Sequence, residues 1–129
     1  MDKKYRILIA KVGTDIHERG ALTIMNVLRD AGYEVIYTGR FQSEVAVAKA
    51  AIAEDVDLIG ISDHTGSFPI ISKKVLDTLK ELGSDIPLFC GGLMTDEDIE
   101  CMKKLGVVAC YPAGCPVENT LEDLKTILK

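Results

Sequence analysis

The sequence predicts an α/β fold: a doubly wound, five-stranded parallel sheet with helices on both faces. Three observations predict it. Short strand-like runs alternate five times with stretches of helix length. The strand-like runs are apolar nearly throughout, the pattern of strands covered on both faces. And 129 residues make one domain by length, enough to hide roughly two-thirds of the unfolded chain's surface.

The elements follow in order. Residues 5–12, YRILIAKV, read as a buried strand. Residues 20–32 set Leu22, Met25, Leu28 and Ala31 about three apart, as on one helix face. Residues 33–39 are a second strand. Residues 43–55 are a helix opening on Ser43, whose hydroxyl suits the free amides of a first turn. Residues 56–62 are a third strand. Residues 68–83 are a helix with Pro69 in its first turn and Gly83 at its end. A fourth strand, 86–92, runs into two glycines. The helix at 95–106 begins with Thr95 and Asp98 at capping-box spacing. A fifth strand, 107–111, leads to a closing helix, 117–129, with Leu121, Leu124, Ile127 and Leu128 on one side. For five such units the expected form is flavodoxin-like, with strand order 2-1-3-4-5.

Composition narrows the function. The net charge is −5 and no basic cluster stands out, which argues against nucleic acid. No apolar run approaches the roughly 20 residues of a membrane span. The start, MDKKYRILIA, lacks the features of a signal peptide, so a cytoplasmic protein is expected. Cys90, Cys101, Cys110 and Cys115 form no CxxC pair and are expected to be free thiols rather than a zinc site.

In such a sheet, ligands bind beyond the carboxyl ends of the strands, at the switch point between strands one and three. The chain's two histidines both fall there: His17 after the first strand and His64 after the third. A lone exposed histidine is ordinarily a solvated loop residue, but both of two on the functional edge favours a site. Asp15, two residues before His17, is placed to accept a hydrogen bond from one imidazole nitrogen and leave the other's lone pair free. Lys11 would hold Asp15 ionised, and Gly20 would allow close backbone packing where the next helix starts. A phosphate loop fits poorly, because 13–20 contain neither GxGxxG nor GxxxxGK[ST] and carry Asp15 and Glu18. The response regulators share the expected fold and need an acidic acceptor near Asp63. They also need a lysine after the fifth strand, which is absent.

Asp15-Ile16-His17-Glu18-Arg19-Gly20 matches a DxHxxG signature. Ser62 of GIS, Gly91 and Gly92 of CGG, and the loop YPAGCP with Tyr111 and Gly114 follow at matching spacing. Together they resemble the cobalamin-binding domains of acyl-CoA mutases such as methylmalonyl-CoA mutase, over almost the whole chain. The resemblance implies His17 as the lower axial cobalt ligand, backed by Asp15 and then Lys11. It implies Ser62 reaching the displaced base, in a slot between the sheet and the first helix, and Gly91 and Gly92 admitting the nucleotide tail. His64 stands where the family's SxL motif has leucine, and the last loop reads Pro-Ala-Gly rather than Gly-Pro-Gly.

The resemblance further implies adenosylcobalamin as cofactor and a separate large catalytic subunit with a substrate-binding barrel as partner. This chain would then be the small subunit, with no residue acting as acid or base on substrate. Two other readings stand beside it. One is a corrinoid carrier for methyl transfer, disfavoured by the short lead before the first strand. The other is a non-corrinoid metal-binding or sensory domain built on His17 and His64.

Overall fold

Each pair of parallel strands needs a crossover, and a helix supplies it every time. The computed structural model describes residues 4–11, 19–38 and 43–128, with only the backbone of 19–21. The order is β1 (Arg6–Lys11), α1 (Arg19–Asp30), β2 (Glu34–Tyr37), α2 (Glu44–Ala53), β3 (Leu58–Asp63), α3 (Phe68–Glu81), β4 (Leu88–Gly92), α4 (Asp96–Leu105), β5 (Ala109–Pro112) and α5 (Val117–Ile127). All strand pairs are parallel, in the order β2-β1-β3-β4-β5, as the sequence predicts.

Strand periodicity divides the core into two layers. Leu8, Ala10, Ile59, Ile61, Leu88 and Cys90 meet α2, α3 and α4 on one face. Ile7, Ile9, Leu58, Phe89 and Tyr111 meet Met25 and Leu28 of α1 and Leu124 and Leu128 of α5 on the other. Because side chains alternate at period two, the odd-numbered positions of β1, β4 and β5 and the even positions of β3 share this second face. Register then lines up two rows across it. One is Ile9–Gly60–Phe89–Ala109 and the next, toward the carboxyl ends, is Lys11–Ser62–Gly91–Tyr111.

Local signals act where the sequence put them. The Ser43 hydroxyl accepts from the Ala46 amide at 3.0 Å. Thr95 and Asp98 exchange side-chain-to-backbone bonds, each 3.0 Å. Gly83 and Gly106 take φ of 78° and 107° where α3 and α4 end. One expectation is corrected: Met25 and Leu28 are buried, but Leu22 and Ala31 are exposed. Residues spaced by three drift around a helix by about 60° per step, so only the middle pair faces the sheet. β3 also starts later than expected, because Asp57 is engaged outside the strand: its carboxylate accepts from the Arg6 amide at 2.9 Å.

Candidate functional site

Where β1, β3, β4 and β5 end beneath α1 and α5, the second face opens into a cavity of about 800 Å³. Missing side chains create it. At Gly60 a β-carbon would collide with the Phe89 ring and come within 2.9 Å of Ile9 Cδ1. Glycine there lets Phe89 lie across β3 and, with Ile9, form an apolar floor. At Gly91 a β-carbon would meet nothing nearer than the Tyr111 carbonyl at 3.7 Å, so a side chain would grow into the cavity instead.

Tyr111 forms one wall. Its ring meets Phe89 edge-on, with centroids 6.0 Å apart, and its hydroxyl donates to Asp123 Oδ2 at 2.8 Å. Burial, then this hydrogen bond and the Asp123 charge, hold the phenol well above its ordinary pKa. It is a neutral, fixed donor that ties β5 to α5. Ile24 and Thr23 of α1 and Val117 and Thr120 of α5 form the helical walls. Ser62 and Thr120 are 7% and 4% exposed. Neither hydroxyl has a hydrogen-bond partner among the described residues.

The mouth is built by two turns. Pro112 to Cys115 close with the Cys115 amide donating to the Pro112 carbonyl at 3.0 Å, and Gly114 at φ 90° makes this turn possible. After β3, the fully buried Asp63 carboxylate accepts from the Thr65 hydroxyl at 2.8 and 3.0 Å and from the Ser67 amide at 3.1 Å. This closes the 63–67 loop and carries His64 to the rim. A carboxylate so enclosed is a structural anchor, and the response-regulator reading loses its acceptor.

The structure therefore brings Ser62, His64, Gly91, Gly92, Tyr111 and Gly114 together around one cavity. Lys11 lies beside them, fully buried at the end of β1, with Nζ 3.5 Å from the Ser62 carbonyl. Asp15 and His17 lie outside the described residues, and Gly20 is the second residue of α1. The slot was expected between the sheet and the first helix; α5 forms its other helical wall, which the sequence reading missed. Gly60, two positions before Ser62, was the available signal on the sheet, and Thr120, within an otherwise apolar helix face, was the signal on α5. Among the described residues no group of three His, Cys, Asp or Glu side chains is placed to hold a metal. No described helix is long and apolar enough to cross a membrane.

Comparison with known proteins gives a consistent picture. The family described as B12 binding domain matches residues 5–124. The chain is 36% identical over 124 residues to the 2-hydroxyisobutanoyl-CoA mutase small subunit of Aquincola tertiaricarbonis, covering 95% of this chain and 91% of that one. It is 35% identical to the pivalyl-CoA mutase small subunit of Xanthobacter autotrophicus, covering 91% and 79%. It is 30% identical to the methylmalonyl-CoA mutase of Escherichia coli over 98% of this chain, but spans only 18% of that relative's length. Among solved structures, a cobalamin-binding protein of Desulfitobacterium hafniense superposes with a TM-score of 0.83 at 17% identity, covering 98% of this chain and 60% of that one. That last likeness speaks to the fold alone.

Proposed function

The chain belongs to the B12-binding domain family, and on that premise we propose that it is the cofactor-carrying small subunit of an adenosylcobalamin-dependent acyl-CoA mutase. The corrinoid would be held with its nucleotide base detached from cobalt, and His17 is the residue that would take that base's place. One observation carries this reading: a cavity of about 800 Å³ lies at the strand ends, and a β-carbon on Gly91 would grow into it. A slot kept open by an absent side chain, with an apolar floor and hydroxyls on its walls, fits a planar heterocycle on a nucleotide tail.

Each residue then has a physical task. Ser62 offers a hydroxyl to the base. Gly91, Gly92 and Gly114 let the tail run close to the backbone. Tyr111, held by Asp123, is a firm wall. His64 contacts the tail at the rim. Lys11 is buried at the end of β1, where it would back Asp15, and Asp15 would in turn orient the His17 ring and set its basicity. When bound, adenosylcobalamin supplies a cobalt–carbon bond whose homolysis starts a 1,2 carbon-skeleton rearrangement. This chain's residues hold and orient the cofactor, and acid–base chemistry on the acyl-CoA belongs to a large catalytic partner with a substrate-binding barrel. The four free thiols agree with a reducing, cytoplasmic setting.

The test is spectroscopic. Mixing the purified protein with cobalamin is expected to give the visible and EPR changes of a detached base and a histidine ligand. His17→Ala is expected to abolish the EPR signature, while His64→Ala mostly spares it. Equal behaviour of the two variants overturns the assignment of roles. Capture of a large mutase subunit by the tagged chain tests the partner.

A further inference from the structure

We infer that Thr120 sets corrinoid specificity, favouring lower bases with a hydrogen-bonding group on the ring edge, as a purine has, over dimethylbenzimidazole. This rests on the corrinoid reading above and deepens it.

Position 120 lies one turn before Leu124, on the face of α5 that also carries Leu121 and Leu128 and packs on the sheet. Such a face ordinarily takes apolar residues, and threonine is both a weaker helix former and a source of a buried hydroxyl. Here the residue is 4% exposed and lines the cavity. A helical threonine commonly satisfies itself on the carbonyl four residues back. The Pro116 carbonyl instead receives the Asn119 amide at 3.1 Å, and the Thr120 hydroxyl has no partner among the described residues.

The surroundings make this hydroxyl selective. Ile9, Ile24, Phe89 and Val117 supply apolar surface, while Ser62 on the sheet, Thr23 on α1 and Thr120 on α5 bring hydroxyl-bearing side chains to the lining. A base bearing only methyl groups on its edge would seal the Thr120 hydroxyl dry, and an unsatisfied buried hydroxyl weakens binding. A ring nitrogen or exocyclic amine would pair with it. A pocket made to hydrogen-bond its ligand discriminates against one lacking the group.

The experiment titrates the protein with two cobamides sharing upper ligand and cobalt oxidation state, one with adenine and one with dimethylbenzimidazole as lower base. Affinities are read from visible spectra and equilibrium dialysis. The wild type is expected to bind the adenine form at least about fivefold more tightly, the scale of one hydrogen bond. Thr120→Val keeps the side-chain shape and is expected to erase that preference, whereas Thr120→Ser retains it; thermal melts check that both fold. A wild type that binds both equally or favours dimethylbenzimidazole overturns the inference, as does an unchanged ratio in Thr120→Val. If neither cobamide binds, the proposed function itself fails and this inference with it.

Discussion

The main-chain carbonyl of Asp63 sits against the α-carbon of Gly92 so closely that no β-carbon fits between them. The same carbonyl accepts the Leu93 amide at 2.9 Å. This contact joins the ends of β3 and β4, and Gly92 adopts φ of 140°, which L side chains rarely do. Because the neighbour is backbone, it has no rotamer through which to yield.

Gly92→Ala is therefore expected to be severe. Steric conflict and backbone strain act together, and a loss of roughly 3 kcal/mol or more follows from those two mechanisms. Urea unfolding measures it. A loss below about 1 kcal/mol would mean that the two strand ends move apart freely.

Gly91→Ala is expected to behave in the opposite way. Its β-carbon clears every neighbour by ordinary contact distance, so stability stays within about 1 kcal/mol of wild type or improves slightly. The added methyl enters the cavity, and corrinoid affinity is expected to fall by about tenfold, the scale of a modest steric conflict. Paired unfolding and binding titrations separate the two glycines: the fold itself requires glycine at 92, whereas at 91 only the ligand does.

Alkaline pH provides a further check. Burial pushes the Cys90 thiol up to about 12 from an ordinary 9.0, with the Ser72 hydroxyl partly offsetting the shift. In the folded state the thiol keeps its proton above pH 9, while in the unfolded chain it loses it. The unfolded state then binds fewer protons, so stability falls as pH rises. Its contribution is complete below about pH 9 and is lost progressively toward pH 12. Tyr111, shifted in the same direction, adds to the decline at the upper end. Cys90→Ala is expected to flatten the slope of stability against pH between 9 and 11, measured by urea titration. An unchanged slope would show that Cys90 is not the group responsible.

Much of this was legible in the chain. The apolar strand runs, the Ser43 and Thr95 caps and the glycines ending α3 and α4 determined the element order. The sheet order followed from the usual form of a five-unit doubly wound sheet, and the structure has that order. Position after the third strand singled out His64, whereas Ser62, Gly91, Gly92, Tyr111 and Gly114 were singled out by the resemblance of their motifs to a known family, and all of them stand at or near the carboxyl ends of the strands. Periodicity misled only at Leu22 and Ala31, where a spacing of three winds off the buried face.

The sequence by itself determined which residues stand at the carboxyl edge, since element boundaries and chain direction are local signals. Only the tertiary structure decided what lies between those residues. The cavity exists because Gly60 sits level with Ile9 and Phe89 on neighbouring strands, and because α5 returns beside α1 over the same face. Those are long-range relations between segments far apart in the chain. The same relations turn Thr120 from one polar residue on a closing helix into a hydroxyl facing the site.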